Sequence, residues 1–234
     1  MFALPLAAQT DITFDRNITN AEFAKFSRIV AQGIYATPVQ PAGSSGLLRF
    51  EIGVAANGVA IDKDASYWTK AVGDDFSVGG YVGVPRIVVT KGLGAASVSG
   101  SYARLGDSDI TTWGGSLDVP IIDGGLVKPT IALRGTYSML TGADVYEQKV
   151  YGVEAFIGKG FGPVTPYGGY GRMRSDATGT IPAEGAFPGL TLHDQSDIDR
   201  MTLGIRLNLV AVRIGLEATQ AEERSYAAKV SFGF

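Results

Sequence analysis

The chain has 234 residues, of which 45% are hydrophobic and 18% charged, and its net charge is -3. It contains no cysteine, which removes disulfides, zinc-thiolate centres and thiol nucleophiles. With an isoelectric point near 5.2 and no run of Lys or Arg, it lacks the concentrated basic face of a nucleic-acid binder.

Residues 2–8 read as the tail of a secretory signal, with Ala7-Ala8 before Gln9 as a small-residue cleavage site, or as an ordinary apolar start without a basic leader. Next, Thr19 and Glu22 have the spacing of a capping box, and Phe23, Phe26 and Val30 follow on one helical stripe. This predicts an amphipathic helix of about four turns that Gly33 can stop, followed by a loop through Pro38, Pro41 and Gly43. The expected organisation is a possible signal remnant over 1–9, a helix and linker over 10–46, and a β domain over 47–234.

From Leu47 onward the hydrophobic period is two, which leaves helices little room. Phe50, Ile52, Val54 and Ala56 alternate with Arg49, Glu51, Gly53 and Ala55 in the first strand. Further strands are predicted near 76–90, 95–104, 110–121, 126–139, 148–158, 163–174, 197–208, 210–219 and 225–234. The second is the least regular, because Pro85 removes a ladder N–H and shifts the parity around it. Longer connections follow the odd strands (62–75, 105–109, 140–147 and about 175–196) and short ones the even strands (92–94, 123–125, 160–162 and near Leu209). Mean hydropathy is high at +0.14 although no stretch could form a spanning helix. A transmembrane β-barrel reconciles the two, since its apolar residues occupy alternate positions. The expected fold is all-β, an antiparallel transmembrane barrel of about ten strands with an N-terminal amphipathic helix and both termini on the periplasmic side.

The two strand faces differ sharply. One would show lipid Ile131, Leu133, Val153, Ile157, Met201, Leu203, Ile205, Leu207, Val212, Ile214 and Leu216. The other is expected to line a lumen or ion pathway with Arg49, Glu51, Arg104, Asp118, Arg134, Glu154, Arg172, Arg174, Arg200, Arg206, Arg213, Glu217 and Lys229. A soluble barrel could not bury that many charges without heavy desolvation; a soluble sandwich with those charges in water is the competing arrangement. Aromatic placement favours the membrane: Tyr102, Trp113, Tyr137, Tyr151 and Tyr226 fall near one rim, with Phe50, Tyr167, Phe232 and Phe234 toward the other.

Residues 225–234 put Tyr226, Ala228, Val230, Phe232 and Phe234 on one face and end on Phe. This resembles the C-terminal signal strand of bacterial outer-membrane proteins, which in that family is read by the barrel-assembly machinery. The segments 133–142 and 159–172, with the helix before the first strand, look like the small outer-membrane protein superfamily, proteobacterial outer-membrane β-barrel proteins. That resemblance implies the fold and an outer-membrane location among lipid and lipopolysaccharide, and brings no functional residues.

Chemistry beyond this is sparse. The only histidine, His193, stands beside Asp194 and Ser196, and Asp74-Asp75 lie in the first long loop, inviting comparison with the omptin proteases. In that family one position separates the residues within each pair, so the spacing departs from the pattern. No predicted strand carries a histidine for a Ser/His pair, and Asp62, Asp64, Asp107 and Asp109 lack a full calcium loop. No enzyme, cofactor or metal site is expected. Nine basic against four acidic lumen residues fit either a packed network of ion pairs or a narrow, anion-favouring passage. The helix could plug that lumen, lie at the inner membrane surface or meet a periplasmic or membrane protein partner. The leading expectation is a small passive channel occluded by the helix; the alternatives are a non-conducting structural or interaction barrel and, further off, an omptin-like protease.

Overall fold

A computed structural model describes residues 12–44, 46–72, 80–106, 108–125, 127–184 and 188–233. The expectations placed on residues 2–8, Asp74-Asp75, Asp107 and Phe234 lie outside the described residues.

In chain order the elements are α1 (Asn20–Ile34), β1 (Phe50–Ala60), α2 (Ser66–Val72), β2 (Tyr81–Val82), β3 (Arg86–Gly92), β4 (Ser97–Arg104), β5 (Thr111–Ile122), β6 (Thr130–Ala143), β7 (Tyr146–Gly158), β8 (Val164–Ile181), β9 (Leu190–Leu209), β10 (Val212–Gln220) and β11 (Arg224–Gly233). Every neighbouring pair is antiparallel, and β11 pairs with β1 to close the sheet. The barrel thus has ten wall strands, as the alternation predicts, with β2 an extra two-residue strand on the end of β1. Closure removes the unpaired edges that an open sheet would expose.

The alternation translates directly into two faces. Ile52, Val54, Leu117, Leu133, Val153, Ile157, Leu203, Leu216, Val230 and Phe232 are exposed on the outside. Glu51, Asp118, Arg134, Glu154, Arg200, Arg206, Glu217 and Lys229 are buried within. No described helix is long and apolar enough to cross a membrane.

Four features differ from the sequence expectation. Pro85 interrupts the second predicted strand, so 83–85 separate β2 from β3. A second helix, α2, forms in the first long connection, where it buries Trp68 and Ala71 against α1. The predicted loops at 140–147 and 175–196 are mostly strand: β8 and β9 run 18 and 20 residues, well beyond the roughly 9–11 expected of a membrane strand, and form a long hairpin. Finally, the described N-terminal segment does not sit at the end where β11 finishes. The N–H groups of Thr13 and Asp15 donate to the carbonyls of Ala71 and Lys70, and Arg16 to that of Pro182, all at the opposite, loop-bearing end.

Candidate functional site

Residues 12–44 run through the inside of the barrel, entering at the loop end and leaving beside the turn that joins β5 to β6. Their upper part is α1. Its start is set by a closed capping box: the Glu22 N–H donates to Thr19 Oγ1 (3.2 Å) while the Thr19 N–H donates to Glu22 Oε2 (2.8 Å). The Ser66 hydroxyl, that backbone N–H and the Lys70 ammonium together hold the Glu22 carboxyl down to about pKa 2. Phe23, Phe26 and Ile29 are almost fully buried. Phe26 packs its ring 5.6 Å from Tyr146 and 5.7 Å from Trp68, and Phe23 lies edge-on to Phe14 at 5.4 Å. On the polar side Lys25 reaches Glu222 (2.8 Å) and Glu223 (2.6 Å) in the turn between β10 and β11. Partial burial pulls the Lys25 ammonium down, but those two carboxylates outweigh it and its pKa is raised.

Below Tyr35 the chain is extended and is held differently. Arg86 donates to the carbonyls of Tyr35 (3.1 Å) and Thr37 (2.9 Å), and Arg134 to that of Gln40 (3.0 Å). The Ala36 N–H donates to Ser138 Oγ (2.9 Å), and the Tyr35 and Thr37 hydroxyls donate to Glu154 and Glu217, 3.0 Å each. Lys229 donates to Gln40 Oε1 (2.9 Å), and the Arg200 guanidinium stacks over the Tyr35 ring at 4.1 Å. Inward-facing glycines make room. A Cβ on Gly114 would stand 2.7 Å from that of Ala36, and side chains at Gly152 and Gly215 would strike the Tyr35 hydroxyl and the Val39 carbonyl. Val39 itself has φ +49°, a left-handed conformation that a β-branched residue rarely adopts.

Of the residues expected in the lumen, Arg49, Glu51, Asp118, Arg134, Glu154, Arg200, Arg206, Arg213, Glu217 and Lys229 face inward. They form paired groups, such as Arg134 with both Asp118 oxygens (2.7 and 2.9 Å) and Arg200 with Glu154 (3.3 Å). Arg104, Arg172 and Arg174 do not belong there. Arg104 shares the parity of outward Tyr102 and bonds Asp109 (3.1 Å) at the rim. In β8 the inward set is Tyr167, Gly169, Gly171, Met173 and Ser175, so Arg172 and Arg174 point out, the former onto Asp199 of β9 (2.9 Å). Gly168, Gly169 and Gly171 carry no side chain to mark which face is which, and the parity expected from the sequence is reversed here. For the same reason Tyr167, expected at the membrane rim, is 5% exposed inside the barrel, its hydroxyl donating to Glu217 (2.9 Å).

Sequence reasoning missed Arg86, whose inward parity with Val88 and Thr90 is plain once Pro85 is read as a break rather than a bulge within one strand. Around the outside, Tyr102, Trp113, Tyr137, Tyr151 and Tyr226 form a belt with Tyr81 and Tyr170; Trp113 to Tyr137 is 5.5 Å and Tyr137 to Tyr151 is 5.1 Å. Phe232 is exposed toward the other end.

His193 lies on the outer face of β9, 3.5 Å from Thr178 Oγ1, while Asp194 and Ser196 turn inward and bond each other at 2.8 Å. The strand therefore separates the histidine from Asp194, while Asp176 on the same outer face stands 3.9 Å from its Nδ1. Among the described residues no group of three or more His, Asp or Glu is placed to hold a metal ion.

No protein-family model matches the sequence, and no curated protein matches it. Among solved structures, the N-terminal β-barrel domain of Pseudomonas aeruginosa OprF aligns at 13% identity over 81% of this chain and 100% of its own, with a TM-score of 0.39. Ail, the attachment invasion locus protein of Yersinia pestis, aligns at 11% over 80% of this chain and 97% of its own (TM-score 0.36). Neisserial surface protein A aligns at 12% over 80% and 97% (TM-score 0.32). So distant a likeness adds nothing to the chemistry of the lumen, which stands on this chain's own residues.

Proposed function

We propose that this protein is an outer-membrane barrel of a Gram-negative bacterium whose narrow passage is closed by residues 12–44 and opens for small solutes when that segment withdraws. The observation that carries this reading is the way the extended half of the plug is held. Its contacts with the wall are chiefly hydrogen bonds from Arg86, Arg134 and Lys229, together with bonds to carboxylates and a hydroxyl, which water can replace, beside small apolar contacts of Val39 with Ala55 and Val88 and of Ala42 with Ala132 and Phe156. The exposed wall would remain a polar, hydrated channel lining after release. The apolar outer face and aromatic belt suit a bilayer, and Arg172 and Arg174, just beyond Tyr170, would meet the anionic headgroups of lipid and lipopolysaccharide. The β11 face of Tyr226, Ala228, Val230 and Phe232 is what the barrel-assembly machinery would read, and the projecting β8–β9 hairpin is where a protein partner would dock.

The glycine notches at Gly114, Gly152 and Gly215 favour a second reading, in which the plug is a permanent core of a non-conducting, structural barrel. Planar-bilayer recordings separate the two. The test compares the whole chain, a form lacking residues 10–40, and an A36C/S138C double variant in this cysteine-free background. Current from the truncated form, and from the double variant only after reduction, supports a gated passage; silence from all of them leaves the structural barrel. Heat-modifiable migration and recovery in the outer-membrane fraction test the location, and a soluble, heat-indifferent product would overturn it.

A further inference from the structure

The turn end of the lumen carries a charge imbalance that the plug does not relieve. Glu51, 1% exposed, lies 2.6 Å from Arg206, 3.0 Å from both Arg49 and Lys229, and 3.8 Å from Arg213. Among the described residues, four cations thus stand within 4 Å of one carboxylate. Gln40 Oε1 accepts from Lys229 (2.9 Å) and Arg206 (3.4 Å), which supplies dipole but no charge. Two guanidinium nitrogens, Nε of Arg49 and Nη1 of Arg213, are buried with no hydrogen-bond partner among the described residues. Elsewhere in the lumen the ratio is lower, as with Arg134 on Asp118 and Arg200 on Glu154. Buried cations in excess of their partners are costly unless a further anion joins them.

A cavity of about 330 Å³ adjoins this cluster and is lined by Arg49, Arg206, Gln40, Ser44, Asn208 and Asp123 among others. It lies where the plug leaves the barrel, between plug and wall, so a solute reaches it from solution at the turn end without crossing the lumen. Planar guanidinium groups with free N–H donors suit the oxygens of a phosphate or carboxylate. Asp123 opposes such a ligand, although its carboxylate already accepts from Ser44 Oγ (2.9 Å).

We infer that this vestibule binds a small soluble oxyanion, phosphate or a short carboxylate, held directly by Arg49 and Arg206 and favoured by the positive potential of Arg213 and Lys229. The inference stands whether or not the barrel conducts. A ligand seated there also bridges Gln40 and Ser44 of the plug to the wall, and so fastens the closed form.

Calorimetric titration of the whole, detergent-folded chain in chloride-free buffer tests this, with inorganic phosphate in one arm and succinate in another. The expected result is saturable one-site binding in at least one arm, weakened at least tenfold by Arg49→Gln, tightened several-fold by Asp123→Asn and unchanged by Arg172→Gln on the outer face. Absence of saturation in both arms overturns the site, as does an affinity indifferent to Asp123→Asn. If Arg49→Gln fails to fold, the response to Asp123→Asn decides between these outcomes.

Discussion

Residues 20–34 and residues 35–44 fill the same lumen, yet α1 meets its surroundings mainly with Phe23, Phe26 and Ile29, whereas the extended segment meets the wall mainly with backbone carbonyls and polar side chains and with smaller apolar groups such as Val39 and Ala42. The apolar half gains from every square ångström removed from water, about 1.5–3 kcal/mol for a fully buried large side chain. The polar half exchanges hydrogen bonds with water for hydrogen bonds with the wall, at a net gain of only about 0.5–1.5 kcal/mol each. The loop end is therefore the more firmly held part, and the extended half is where the proposed withdrawal would begin.

The largest effect should come from the loop end. Phe26→Ala removes a ring packed on Tyr146 and Trp68 and should cost about 3–5 kcal/mol in urea unfolding from lipid vesicles. A loss below about 0.5 kcal/mol, the scale of a neutral surface change, would mean that α1 is not packed as described. Arg86→Met comes next. It leaves the carbonyls of Tyr35 and Thr37 without their donor, at about 1–3 kcal/mol for each group that stays dry. Because water can enter and satisfy them, the variant should raise single-channel opening more than it lowers the unfolding midpoint; equal and severe losses in both would make the extended half as firmly held as the loop end.

Acidification should loosen the start of α1 selectively. Glu22 has its folded pKa lowered from 4.5 to about 2, so its stabilisation is complete above pH 4.5 and is lost as pH falls through about 2. Hydrogen exchange at residues 20–24 should quicken over that window, and Glu22→Gln, which preserves the capping box, should abolish the pH dependence. The smallest effect is a control away from both halves. Val210, in the turn between β9 and β10, is fully exposed at φ +51°, and Val210→Gly should raise barrel stability by about 1 kcal/mol without altering conductance.

Much of the wall is legible in the sequence because a strand's two faces alternate strictly and a membrane imposes opposite chemistry on them. Phe50, Ile52 and Val54 against Arg49 and Glu51 leave one assignment open, and Arg134 between Leu133 and Gly135 leaves little more. Legibility fails where the alternation is blank or broken. The glycines before Arg172 hide the parity of β8, and Pro85 hides Arg86. The long hairpin reads as a loop because its outward residues, Asp176, His193 and Gln195, are polar although they stand in strands rather than turns.

The sequence by itself determined that the chain alternates, closes with an aromatic strand and begins with a capped amphipathic helix, because each of these is a local pattern of period two or 3.6. Only the tertiary structure decided that the helix enters from the loop end, that Arg86 and Gln40 complete the lumen, and that four cations gather on Glu51. Those facts join residues up to 189 positions apart, as from Gln40 to Lys229, and no local period carries information over that distance.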